Sequence, residues 1–325
     1  MKPIIGFLTN PDKVFYNNLD KVLMKYLVKN GALVMPLNLP DLSIIIKRCT
    51  SKKENHTYIF NKNKHISFNA FFSYGYMSPN NFKSYQYLLS SLHKLKMPLL
   101  YTPSQMNILS DKYNQALQFF KHNIPIPDTG ISFALPGYKN LAKRFFPKNS
   151  VLKELKDYGG DGVSMHNNKE SLINIIAKKL WNNKLSLVQQ KIEDSPGRSI
   201  RVLVMNNKPV AVAEYVNKVK GEDKSNNSFG YNNFELRNMM ENDKRKEYED
   251  LAVKAVDAIS GAKYGKENIV VSGVDILDSK KNGLVVLEVN PWPDLFDIRE
   301  STKIDVFDLL AKEFLAKVKR NKIKV

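Results

Sequence analysis

Two carboxylates and one amide in the stretch Val271-Ser-Gly-Val-Asp275-Ile-Leu-Asp-Ser-Lys-Lys-Asn-Gly-Leu-Val-Val-Leu-Glu288-Val-Asn290-Pro-Trp can be gathered by a single hairpin. Lys280–Gly283 is polar and ends in glycine, which suits a four-residue hairpin loop. The register set by that loop puts Asp275 directly opposite Glu288, with Cβ atoms ~5 Å apart. Asn290 shares the side-chain parity of Glu288, whereas Leu287 and Val289 are expected to point the other way into apolar packing. Like charges directly opposite on a sheet destabilise it, and burying an unpaired carboxylate is costly. A divalent cation between the two acids relieves both problems. Three hard oxygen donors with no His or Cys nearby suit Mg²⁺ or Mn²⁺, with water and nucleotide phosphates completing the shell. The same spacing also fits an edge hairpin whose acids stand in water.

A second candidate is Lys153-Glu-Leu-Lys-Asp-Tyr-Gly159-Gly160-Asp-Gly162-Val, which follows an apolar strand. Its glycines allow backbone N–H groups to approach a phosphate without Cβ interference. Alone, such a run is more often just a tight turn. Neither the Rossmann glycine spacing nor the Walker pattern ending in Gly-Lys-Ser/Thr is present. Lys112, Lys153 and Arg201 stand at the starts or in the interiors of expected elements. Singly each reads as a surface charge or a snorkelling side chain, while together with Mg²⁺ they could neutralise a triphosphate. His93, His122 and His166 have no catalytic or metal spacing, and Trp181 and Trp292 read as packing residues, with Trp292 able to wall a pocket. Cys49, the single cysteine, has no partner for an internal disulfide.

Elements that could position these groups follow from periodicity. Ile4–Leu8, a helix over Tyr16–Lys29 closed by Gly31, and Ala32–Leu39 form a βαβ opening. A small hairpin over His56–Phe68, a strand at Ala70–Tyr74, a helix at Asn81–Lys96 and a strand at Met97–Tyr101 continue it, which implies a parallel sheet. Residues 1–107 are therefore expected as a first domain. Ser110 is expected to cap a helix reaching His122, stopped by Pro125 and Pro127. Strands near Ile131 and over Val151–Leu155, with a helix at Glu170–Trp181, make a small α+β unit over 108–187. The last part, 188–325, holds strands at Arg198–Asn206 and Val210–Tyr215, a long polar loop over Asn217–Asn233, a helix at Lys244–Ile259, the hairpin, and a final helix at Asp305–Lys319.

The 325 residues, 43% of them apolar and 10% aromatic, describe a folded globular chain rather than a disordered one. No apolar run approaches the ~20 residues of a spanning helix, and Asn10-Pro11 interrupts the start too soon for a signal-peptide core, so a cytoplasmic location without membrane association is expected. The net charge of +18 attracts polyanions, acidic protein segments or nucleotides. Lysines are scattered along every segment, and no helix-turn-helix, zinc spacing or aromatic RNA motif supports direct nucleic-acid binding.

Taken together, Ser110-Asp111-Lys112, Lys153 with Gly160 and Gly162, Leu187-Val-Gln-Gln-Lys-Ile192, Gly197-Arg-Ser-Ile-Arg201-Val-Leu-Val, Ser272-Gly-Val-Asp275 and Leu287-Glu-Val-Asn290-Pro resemble an ATP-grasp ligase of the RimK-like type over roughly residues 100 to 318. The segment Ile298–Leu310 resembles the helix that follows the metal site in these proteins. The resemblance implies an α/β chain, α+β in its C-terminal half, in which an N-terminal parallel-sheet domain precedes the ATP-grasp fold. It further implies ATP between the central and C-terminal parts, with phosphates met by Lys112 and Lys153 and covered by Gly159, Gly160 and Gly162. Gln190, Lys191 and Ile192 would meet adenine, Ser199 the ribose region, and Arg201 the reacting centre, while Asp275, Glu288 and Asn290 would hold one or two Mg²⁺ or Mn²⁺ ions. The implied reaction joins a carboxylate to an amine through an acyl phosphate, adding an amino acid such as glutamate to a cofactor, an acidic carrier protein or a peptide, in a chain that assembles as a homodimer or homotetramer. That chemistry needs positioning and charge neutralisation rather than a nucleophilic side chain.

Departures from the family pattern are local. Gln190 and Ser199 replace the usual acids, and Ala211-Val-Ala-Glu214-Tyr215 stands where relatives that bind an acidic amino acid carry arginines. Glu214 accordingly suggests a cationic or amine-bearing substrate group. A kinase on the same fold that phosphorylates a small molecule, and a non-catalytic nucleotide-binding or basic nucleic-acid-binding protein, remain the alternative functions.

Overall fold

The computed structural model describes residues 2–9, 14–48, 55–75, 79–144, 149–155, 162–182, 184–218, 234–261 and 267–322. Cys49, Gly159, Gly160 and all but the first residues of the loop expected over 217–233 lie outside them. The chain forms two compact units, Met1–Pro103 with Asp305–Val325, and Ser104–Ile304.

In the first unit β1 (Ile4–Thr9), α1 (Val14–Lys29), β2 (Leu33–Asn38), β3 (Leu42–Arg48), β4 (Asn55–Asn61), β5 (Lys64–Ile66), β6 (Ala70–Ser73) and α2 (Pro79–Lys94) follow one another. The strands β2-β1-β6 form the expected parallel sheet, with Ile5 beside Val34 and Ala70. Gly31, at φ 94°, ends α1 in the left-handed conformation that a side chain resists. The expected strand over 97–101 is reduced to a single bridge between Phe71 and Leu99. The expected 56–68 hairpin is present as β4 and β5, but it pairs with β3 in a separate antiparallel sheet that the sequence reading missed.

The second unit begins with α3 (Pro103–Leu109) and α4 (Lys112–Lys121), then β7 (Thr129–Ile131), α5 (Leu135–Arg144), β8 (Ser150–Glu154), β9 (Val163–His166), α6 (Lys169–Trp181) and β10 (Ser186–Gln190). Its first sheet is antiparallel in the order β7-β10-β8-β9. Tyr138 and Ala142 of α5, Leu172 and Ile176 of α6, and Leu152 and Val188 of the strands form the core on one face, leaving the alternate residues Lys153, Leu187 and Gln189 on the other. Trp181 does not pack; it is 89% exposed.

A second antiparallel sheet, ordered β13-β12-β11-β14-β15, comprises β11 (Arg198–Met205), β12 (Lys208–Asn217), β13 (Phe234–Asn238), β14 (Val271–Ser279) and β15 (Gly283–Asn290). The helix α7 (Arg245–Ser260) covers one face with Ala252, Ala255 and Val256 fully buried, and α8 (Leu295–Thr302) packs against β12 and β13. The helix expected over 298–310 is interrupted by Lys303 at φ 63°. The last helix, α9 (Val306–Lys322), packs on α1 and thus belongs with the first unit, not with residues 188–304. There Phe314 meets Phe72 edge-on at 5.0 Å and Phe307 stacks on Tyr26.

Candidate active site

Lys153 extends from β8, where it pairs with Leu187 of β10 on the face opposite the helical core. Lys112 opens α4, and its backbone N–H donates to the Leu155 carbonyl at 3.0 Å, which ties the helix start to the end of β8. The cap of α4 is Asp111, whose Oδ1 accepts from Tyr113 and Asn114 N–H at 3.0 Å each, rather than the expected Ser110. Lys153 is buried, and loss of water pulls its pKa down from the ordinary lysine value to about 8. Glu288 and Asp275 oppose that fall and Lys112 adds to it.

The hairpin β14–β15 places Asp275 opposite Glu288 and Gly273 opposite Asn290, as expected. The route to that register differs from the expected one. Ser279 pairs with Gly283, so the loop has three residues, Lys280–Asn282, and a bulge between Asp275 and Ile276 restores the offset. The extra residue on β15 is Leu287, which lines a small cavity with Lys112, Lys153, Leu187 and Gln189 instead of pointing to the opposite face. Val289 does turn away and is buried. Lys112 Nζ lies 3.8 Å from Glu288 Oε2, and the Asn290 amide donates to Glu288 Oε1 at 3.1 Å.

Arg201 stands beside Asp275 on β11 and grips it with both arms of its guanidinium, Nε to Oδ1 at 2.6 Å and Nη2 to Oδ2 at 2.7 Å. Its Cζ lies 5.1 Å from the Tyr215 ring centroid, a cation–π contact. The Tyr215 hydroxyl donates to Asp297 of α8 at 3.4 Å. A Cβ on Gly273 would meet Pro293 at 2.7 Å and the Arg201 side chain at 3.2 Å, so glycine is what lets both pass. Burial works against the Arg201 charge, yet the adjoining Asp275 outweighs it and holds the guanidinium protonated. Burial also raises the Asp275 carboxyl, against the pull of Arg201, and raises the Tyr215 hydroxyl well above its ordinary value.

Of the sequence-derived residues, Lys112, Lys153, Arg201, Asp275, Glu288 and Asn290 gather in this region through the contacts above. Ser199 is buried on the same sheet face, paired with Tyr215. Gln190 is exposed, its N–H is given to the Asp128 carbonyl, and the Lys191 N–H goes to the Asn149 carbonyl; Ile192 is buried. Gly162 has φ 74°, and its carbonyl accepts from Glu154 N–H. Gln189 was missed. It is buried in the cavity beside Lys153, with its Nε2 donating to Thr129 Oγ1 at 3.0 Å, and its alternation with Leu187 is the signal that marks it. Glu214 is not part of this site. It pairs with Ile200, on the α7 side of the sheet, where Arg198 Nη2 at 2.5 Å and Arg237 Nη1 at 3.7 Å hold it. His166, bonded to Ser164 and Ser171, is structural.

Among the described residues no group of three or more His, Cys, Asp or Glu side chains could hold a metal. Two carboxylates and one amide remain, a donor set that fits an ion with hard oxygen preference only when water or phosphate supplies the other positions. Mg²⁺ meets that condition.

The model of the RimK-like ATP-grasp domain matches residues 109–314. The chain belongs to the RimK-like ATP-grasp family. A curated relative, the "Probable alpha-L-glutamate ligase" of Saccharophagus degradans, is 30% identical over 214 residues, 66% of this chain and 66% of that one. The alignment thus spans just under two thirds of the relative. The fold is shared with the Chryseobacterium gregarium RiPP-associated ATP-grasp ligase in complex with ADP and a leader and core peptide (TM-score 0.68, 16% identity, 98% of this chain and 97% of that). It is shared also with the ATP-grasp ligase PsnB complexed with a phosphomimetic variant of its minimal precursor, Mg and ADP (TM-score 0.66, 13% identity, 97% and 98%). No helix among the described residues is long and apolar enough to cross a membrane.

Proposed function

We propose that this chain is an ATP-dependent carboxylate–amine ligase that forms an amide bond, with a peptide or a carrier protein as acceptor. The reading rests on one observation above all: two buried or half-buried lysines on the first sheet and helix come within electrostatic reach of the opposed pair Asp275 and Glu288 on the second. Lys112 and Lys153 would bind the ATP phosphates. Asp275, Glu288 and the Asn290 carbonyl oxygen would hold Mg²⁺, whose bound charge makes the γ-phosphate a better electrophile. Arg201, fixed by Asp275 and Tyr215, would orient the reacting carboxylate.

The carboxylate oxygen attacks the γ-phosphorus and ADP leaves, giving an acyl phosphate; the amine then attacks the acyl carbon, phosphate leaves, and the amine proton goes to solvent or phosphate. Adenine would lie against Leu187, Gln189 and Leu287, with Gln190 to Ile192 beside it. The two antiparallel sheets within residues 104–304 would divide this labour, with the first supplying Lys153 and the second the metal donors. The family membership and the peptide ligands named for the structural neighbours support a polypeptide acceptor, and the net charge of +18 favours an acidic one.

Incubation with Mg-ATP, amino acids and acidic acceptor peptides tests the reading. ADP, phosphate and a new amide mass are the expected products. A phosphorylated product without free phosphate would establish a kinase instead, and no nucleotide turnover with any pool would refute catalysis.

A further inference from the structure

We infer that Gln115 is a positioning residue that holds the metal-binding strand at a fixed distance from Lys112. The strand β15 is the edge of its sheet, so part of its backbone points away from β14 and needs partners elsewhere. Val286 N–H donates to the Pro125 carbonyl at 2.8 Å. Val289, the residue between Glu288 and Asn290, is satisfied by one side chain. Its N–H donates to Gln115 Oε1 at 2.8 Å, and its carbonyl accepts from Gln115 Nε2 at 3.1 Å. The same Nε2 donates to the Leu109 carbonyl at 2.9 Å, which anchors the clamp to the end of α3.

Gln115 is buried on α4, three residues after Lys112 and so about one turn along the same helix. A single amide therefore connects the helix carrying a phosphate-binding cation to the peptide unit flanked by two metal donors. The 3.8 Å separation of Lys112 Nζ and Glu288 Oε2 lies across this connection. An apolar side chain could fill the volume, but it would leave both Val289 groups without partners in a place closed to water. Groups that orient metal donors from behind affect metal affinity by roughly 10- to 100-fold.

The inference rests on the reading of Asp275, Glu288 and Asn290 as metal donors. Its test uses the full chain, Mn²⁺ as probe with ADP present, and paramagnetic resonance of free Mn²⁺ as readout. Gln115→Leu is expected to weaken Mn²⁺ binding by roughly tenfold or more and to speed amide exchange in residues 284–290. Ile176→Val, a core change remote from the clamp, should leave Mn²⁺ affinity unchanged whatever it does to Tm. Gln115→Glu keeps the acceptor for Val289 N–H and loses the donors; it supplies the same comparison if the leucine variant does not fold. Wild-type Mn²⁺ affinity in a folded Gln115 variant, or a loss matched by Ile176→Val, overturns the clamp alone. Failure of the unmodified chain to take up Mn²⁺ with ADP overturns the metal site first and the clamp with it.

Discussion

Both faces of the five-stranded sheet carry charged residues on neighbouring strands, yet the two sets behave differently. On the α7 side the cations Arg198, Arg237 and Lys244 are 54%, 46% and 52% exposed, so the pairs they make keep water on the cation, even though Glu214, the partner of both arginines, is itself buried at 6%. On the other side Lys112, Arg201 and Asp275 are only 14%, 13% and 11% exposed, and Glu288 is 24% exposed. The Lys244–Asp278 pair, open to water on both partners, contributes ~0–1 kcal/mol. Buried charges forfeit hydration and must be matched in full, and the proposed ATP phosphates and Mg²⁺ would complete the matching that Arg201–Asp275 and Lys112–Glu288 begin. Strand parity decides which fate a residue meets: Glu214 and Tyr215 are adjacent in sequence, and only Tyr215 faces Arg201.

The sharpest way to break this contrast is to remove one acid from the buried set. Glu288→Ala should reduce Mg²⁺-dependent ATP turnover by at least ~10²-fold while leaving Tm unchanged or higher, because it removes repulsion toward Asp275. Turnover at the wild-type level would refute the site. Asp275→Ala should abolish turnover equally, but with a different stability cost. It strands a guanidinium that is held by two short hydrogen bonds, and breaking such a pair costs about 3–5 kcal/mol. The double variant Arg201→Leu with Asp275→Leu should recover much of that loss in denaturant unfolding without recovering turnover. If Asp275→Ala and Glu288→Ala prove equally stable, Arg201 is not the dependent partner that the geometry makes it.

Lys153 offers a measurement that separates buried from rim cations by pH. Its pKa sits near 8 because burial disfavours the charged form, so it is mostly protonated at neutral pH and loses that charge as pH rises through about 8. Phosphate binding requires the ammonium, and ATP affinity should therefore fall from about pH 8 upward, well below the ~10.4 of an ordinary lysine. Calorimetric titration from pH 7 to 9.5 would show it. Lys153→Met should bind ATP more weakly and lose this pH dependence; a variant that keeps the same slope assigns the titration elsewhere.

Much of this arrangement was legible in the chain because burial imposes regular spacing. The parallel opening and the pairing of Asp275 with Glu288 followed from period and turn chemistry, whereas Lys112 at a helix start and Lys153 and Arg201 inside strands stood out only as a set. The pairing was reached despite a loop one residue shorter than expected, since the bulge at Leu287 compensates; two offsetting irregularities leave no trace in a hydrophobic pattern. Errors of a single residue were costly for the same reason that strands are readable at all. Shifting by one reverses the face, which separated Gln190 from the buried Gln189 and Glu214 from the site. The strand β3 was missed because Ile44-Ile-Ile lacks alternation, and α5 because Leu135-Pro-Gly opens like a turn.

The smallest expected effect belongs to the α7 side. Glu214→Gln keeps the volume and the acceptor oxygen for Arg198 while removing the charge of a buried carboxylate whose two guanidinium partners are about half exposed. Stability should fall by about 1–3 kcal/mol, seen as a shift of denaturation midpoint at constant slope, and ATP turnover should not change. Amine-substrate KM should likewise stay fixed, because Glu214 stands across the sheet from Arg201. A selective rise in that KM would mean that the substrate reaches the α7 side, and the two faces would then have to be treated as one site.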